Sequence, residues 1–132
     1  MRDRARKFAL SSLSRYDSSK KALYEKLIAR GFDKESAADA VEYVVSFGYI
    51  DEKRQIEKIS LDLYNRQNFG KRKIFSRLVN KGYSPSDVSS VISSLVRDGE
   101  IDFEIAKERL LCKYPSELSP DEKRKILFKN GF

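Results

Sequence analysis

Residues 27–51, LIARGFDKESAADAVEYVVSFGYID, return in altered form as residues 78–102, LVNKGYSPSDVSSVISSLVRDGEID. A chain that repeats a segment of this length folds as successive copies of one supersecondary unit, which excludes most other architectures at once. Sliding the chain along itself so that Leu27 falls on Leu78 also brings Gly31 onto Gly82, Phe32 onto Tyr83, Val41 onto Ile92, Gly48 onto Gly99, Ile50 onto Ile101 and Asp51 onto Asp102. Upstream, Ala5, Phe8, Ala9, Leu13 and Tyr16 form an apolar stripe at helical spacing, answered in the next copy by Ile56, Ile59, Leu63 and Tyr64. A third copy starts near Phe103 and stops early, with Leu127, Phe128, Gly131 and Phe132 repeating Leu78, Val79, Gly82 and Tyr83. The expected division is residues 1–50, residues 51–101 and a partial unit of two helices at residues 102–132, either naturally short or cut short.

Each unit reads as three helices, A, B and C, which in the first unit span about residues 4–16, 19–30 and 34–47. Gly31 and Gly82 sit just past helix B, and Gly48 and Gly99 just past helix C, where a left-handed residue ends a helix without a Cβ clash. Ser84-Pro85-Ser86-Asp87 and Ser119-Pro120-Asp121-Glu122 are start signals: a capping hydroxyl, a proline with preset φ, and acids at the positive end of the dipole. Asp51 and Asp102 are placed to cap the A helices that follow them. On the second helix C, Val88, Val91, Ile92, Leu95 and Val96 share one face and Ser89, Ser90, Ser93 and Ser94 the other. Tyr49 and Tyr83, behind their turn glycines, are expected to clamp neighbouring helices as partly buried aromatics. The fold class is therefore all-α, tandem three-helix repeats forming an elongated, curved helical array.

The 132 residues include no histidine and one cysteine, which removes the commonest general base and nearly every familiar zinc site. Acidic pairs such as Asp51-Glu52 and Asp121-Glu122 read as caps and surface charge, so no enzymatic activity and no cofactor or metal is expected. Cys112, beside Leu110 and Leu111 in a helical pattern, is expected to be a small buried hydrophobe. No apolar run is long enough to span a bilayer and no secretory signal opens the chain, so a cytoplasmic monomer without membrane contact is expected. With 27 Lys and Arg against 20 Asp and Glu, the net charge of +7 points to a polyanionic or acidic partner.

The order of these features resembles the RecX family, the regulators of the RecA recombinase. In the first unit, Ser19, Leu23, Lys26, Leu27, Gly31 and Phe32 match the family's spacing of a serine, a leucine, a lysine-leucine pair and a glycine followed by an aromatic. In the middle unit, Gly48-Tyr49-Ile50-Asp51 followed by Arg66, Gly70, Ile74, Leu78 and Gly82 is similar to its most recognisable segment. Ala22 and Gln55-Ile56 depart from the usual pattern, and relatives commonly add another helix C beyond the last glycine-phenylalanine. The resemblance implies tandem three-helix repeats. It also implies a regulator in DNA repair, recombination and the SOS response that lies in the groove of the RecA–DNA filament, bridges its subunits, and inhibits strand exchange and ATP turnover.

The binding chemistry is electrostatic. Arg66, Lys71, Arg72, Lys73, Arg77 and Lys81 surround the second helix B, whose start near Gly70 adds backbone amides able to meet an anion. Lys123, Arg124 and Lys125, with Lys129, repeat the theme in the last helix B, and Lys20, Lys21, Lys26 and Arg30 in the first. Such a surface grips phosphates or a carboxylate-lined groove without reading bases, and the partners are accordingly a RecA filament or single- or double-stranded DNA. As exposed charges, Lys71, Arg72 and Lys73 are expected to be dispensable for folding. Phe69 reads first as core and second as a base-stacking ring. An independent, sequence-nonspecific DNA-binding helical module is the alternative reading.

Overall fold

The computed structural model describes all residues from Met1 to Phe132 and contains eight α-helices and no strand. Helices α1 (Arg2–Arg15), α2 (Lys20–Ala29) and α3 (Lys34–Ser46) follow the A, B and C order. They are succeeded by α4 (Glu52–Asp62), α5 (Lys71–Asn80) and α6 (Pro85–Arg97), then by α7 (Phe103–Leu111) and α8 (Pro120–Lys129). None of them is long and apolar enough to cross a membrane. The all-helical fold is as the repeats require, and the boundaries in the first copy lie within two residues of those expected.

The chain forms two compact units, one of residues 1–55 with 81–83 and one of residues 56–80 with 84–132. In the first, Ala5 and Ala9 of α1, Leu23 and Leu27 of α2, and Ala37, Ala40 and Val44 of α3 are fully buried, and Ile50 closes the cluster. Alanines on α1 and α3 let these two helices approach closely, while the leucines of α2 fill the space beside them. In the second unit Ile56, Ile74, Leu78, Val88 and Ile92 are fully buried. There α4 runs on into a π-helical turn, Leu63–Gln67, that ends at Asn68 in the left-handed conformation with φ 54°. The phenol of Tyr64, inside that turn, accepts the Asp102 amide at 3.1 Å, and its ring meets Phe103 edge-on at 6.3 Å.

Helix punctuation follows the sequence in most places. Ser19, Asp33, Asp51, Asp102 and Ser119 each accept an amide of the helix they precede. Ser84 stands at the cap position, but its hydroxyl turns to Ser86 Oγ at 2.9 Å and leaves the amides alone. Where helix C ends, the amides of Tyr49 and Glu100 bond back to the carbonyls of Val44 and Leu95. This turns the next residue inward, so Ile50 and Ile101 are the anchors. Tyr49, expected to be a clamp, is instead 57% exposed, while Tyr83 is buried.

Three other expectations are corrected by where helices stop. Cys112 is exposed because α7 ends at Leu111 and the buried positions, Ala106 and Leu110, are one turn apart on another face. Tyr16 leaves the apolar stripe because the backbone has already become extended there. Val96, last member of the α6 stripe, is 43% exposed, near the end of its helix.

Candidate functional site

The cationic run on α5 packs against the end of α8. The Gly70 amide donates to the Asn130 carbonyl at 2.7 Å, and the Arg72 amide to that of Gly131 at 3.3 Å. The Arg72 guanidinium donates to the Phe128 carbonyl at 2.5 Å and lies 4.1 Å from the centre of the Phe128 ring. Lys73 Nζ reaches the Lys129 carbonyl at 3.4 Å. The positive amino end of α5 is thus set against the orphan carbonyls and negative dipole end of α8. Two of the amides expected to be open to an anion, those of Gly70 and Arg72, are already engaged by this chain.

Close backbone approach requires glycine on both sides. A Cβ on Gly70 would sit 2.5 Å from the Gly131 oxygen, and one on Gly131, where φ is +92°, 2.5 Å from the Lys73 nitrogen. The first unit uses the same arrangement in looser form. Ser19, the cap of α2, donates its hydroxyl to the Lys81 carbonyl at 3.2 Å, and Gly82 lies against Ser19 and Lys21. In each unit the turn that ends one B helix therefore rests on the start of the B helix one repeat earlier in sequence.

The expected binding residues consequently differ in their freedom. Lys73 and Arg77 bracket the buried Phe69 ring, at 4.2 and 5.4 Å from its centre. Burial pushes the Lys73 ammonium below its ordinary range, and the charges of Arg77 and Lys129 push it the same way. Phe69 is 7% exposed and serves as core beneath these cations. Arg66 pairs with Asp62 at 2.9 Å and Arg124 with Asp121 at 2.6 Å, each one turn away on the chain. Lys71, Lys81 and Lys125 are exposed and belong to none of the six ion pairs, while Lys123 is half-buried. Lys73, Arg77 and Lys129 are brought together, whereas nothing ties Lys123, Arg124 and Lys125 to them. Alanine at Lys71, Arg72 and Lys73 together would therefore disturb the seat of α8, contrary to expectation, because two of the three cations hold carbonyls.

A separate cluster of charge and aromatic rings lies on the first unit. Arg6 of α1 donates twice to Asp39 of α3, at 2.8 and 3.1 Å, and its guanidinium lies 4.5 Å from the centre of the Tyr43 ring. Tyr43 meets Phe47 at 4.9 Å, and Phe47 meets Tyr49 at 6.4 Å. The signal in the sequence was the spacing Asp39, Tyr43, Phe47, one helical turn per step, which continues on the surface.

Fold and charge together define a class, an all-helical repeat protein whose cations cluster at the starts and ends of its B helices. No family model matches the chain. It is 26% identical over 132 residues to the regulatory protein RecX of Caldanaerobacter subterraneus subsp. tengcongensis, covering 97% of this chain and 64% of that protein. It is 29% identical over 126 residues to the regulatory protein RecX of Clostridium tetani, covering 93% of this chain and 56% of that protein. The chain spans about half the length of the curated relatives it matches, between 45% and 64%. The crystal structure of RecX from Lactobacillus salivarius shares the fold with a TM-score of 0.81 at 20% identity, covering 99% of this chain and 88% of that one. The resemblance to the RecX family drawn from the motifs is borne out.

Proposed function

We propose that this chain is a RecX-like regulator that binds the RecA–DNA filament, lies in its groove, and restrains strand exchange and ATP turnover without catalysing a reaction. The observation that carries the reading is the similarity to RecX proteins over nearly the whole of this chain, in sequence and in helix arrangement. The electrostatics support it. A net charge of +7, with Lys71, Lys81 and Lys125 free of carboxylate partners, favours a partner that presents phosphates or acidic side chains. No cluster of three or more His, Cys, Asp or Glu side chains is placed to hold a metal. Regulation would then be steric and electrostatic, the protein acting as a monomer on the filament.

The test is co-sedimentation with RecA filaments assembled on DNA, compared with bare single-stranded DNA at matched salt. Preference for the filament, together with slowed ATP turnover, supports the regulator. Equal retention on both selects the second reading, a sequence-nonspecific DNA-binding module, which the same exposed lysines would also serve.

A further inference from the structure

On the first unit, α1 and α3 carry a surface whose chemistry differs from that of the B helices. Phe47 is 63% exposed and Tyr49 57% exposed, although the adjoining Ile50 is buried in the core. Adjacent exposed aromatics on a small domain mark an interaction site. Their geometry is that of a stepped platform. Arg6 covers the Tyr43 ring, Tyr43 packs against Phe47 with planes 57° apart, and Phe47 against Tyr49 with planes 34° apart. Beyond Arg6, the first turns of α1 are strongly basic, with Arg2, Arg4, Arg6 and Lys7 against the single acid Asp3. Asp39 is shared between Arg6 and, at 4.0 Å, Arg2, two cations to one carboxylate.

Open aromatic faces bordered by arginine fit an unpaired nucleobase with its phosphate. The ring takes the base, the cations take the backbone, and no base edge is read. We propose that Phe47 and Tyr49 form a stacking platform for the bases of single-stranded nucleic acid, with Arg6 and Arg2, the α1 cations that meet α3 one and two turns before Phe47, on the phosphate side. A base is favoured over a protein partner because the guanidinium of Arg6 lies over the inner ring of the run, a pairing of aromatic and cation that suits a base with its phosphate. The inference rests on the polyanion-binding reading for its class of partner and adds a second contact, driven by stacking rather than by charge.

The experiment compares a thymidine homo-oligonucleotide with an abasic oligonucleotide of equal length, by fluorescence anisotropy at one low salt concentration. It uses the whole chain and the double variant Phe47→Ala with Tyr49→Ala. Both side chains are largely exposed, so circular dichroism and melting should be unchanged. The unsubstituted chain should bind the thymidine strand about tenfold or more tighter than the abasic strand. The variant should lose that preference and keep its affinity for the abasic strand. Equal binding of both strands by the unsubstituted chain, or a preference that survives in the variant, overturns the platform while leaving phosphate binding intact. Failure to bind either strand overturns the platform and the direct polyanion contact together. Loss of filament binding by the variant with an unaltered preference for thymidine would assign the rings to a protein contact and also overturn the proposal.

Discussion

Tyr83 is 5% exposed, yet its phenol remains satisfied by donating to Gln55 Oε1 at 2.7 Å. Burial, aided by the charges of Glu52 and Asp17, pushes the phenol from 10.0 up to about 12. The neutral form is thus favoured in the folded state, and the stability this gives is complete below pH 10 and lost as pH rises from there toward 12. Spectrophotometric titration should show one tyrosine ionising only with unfolding, and Tyr83→Phe should remove that alkaline step. The same substitution should cost about 1–3 kcal/mol at neutral pH by orphaning Gln55, read from chemical denaturation. Leu78, fully buried in α5, was legible from the repeat alone. Leu78→Ala should lower stability by about 2–5 kcal/mol, measured in the same way. Cys112 and Tyr49 were not legible at this level, because their exposure depends on where a helix stops, and a shift of one residue there rotates a side chain by about 100°.

The eight helices could be read from apolar spacing, glycines and capping residues because all of these signals are local. The seating of α8 on α5 could not. Arg72 and Phe128 are 56 residues apart, and a cation that caps a distant carbonyl looks in sequence like one waiting for a ligand. Gly70 was visible as the neighbour of a helix start and Gly131 as the repeat of Gly82, but the contact of one backbone with the other, which leaves no room for Cβ, is tertiary information. Gly131→Ala combines that clash with a left-handed φ and should cost roughly 1–3 kcal/mol. Hydrogen exchange locates the effect: the Gly70 and Arg72 amides should lose protection, while those of α1 and α3 keep theirs. Arg72→Ala removes one charge-assisted hydrogen bond and one ring contact, and should expose the same amides at a cost of about 1 kcal/mol.

At the scale of the whole molecule, the net charge of +7 mixes cations that hold the fold with cations that are free, and only the latter are available to a polyanion without a structural penalty. Arg72 and Lys73 belong to the first kind, and Lys71, Lys81 and Lys125 to the second. A triple replacement of Lys71, Lys81 and Lys125 by alanine should therefore leave the melting temperature unchanged, since none of these side chains is buried or in an ion pair. Binding to single-stranded DNA, or to a filament formed on it, should weaken and become less sensitive to salt. The slope of log affinity against log salt should fall by about 0.7 for each phosphate contact removed, or about 2 for all three. Arg72→Ala with Lys73→Ala should behave in the opposite way, with melting lowered and the salt slope of the remaining bound fraction little changed. If both sets shift melting and slope together, the division between fold-holding and free cations fails. If only the replacement of Lys71, Lys81 and Lys125 alters the slope, the exposed lysines at the ends of the B helices and within α8 carry the electrostatic part of recognition.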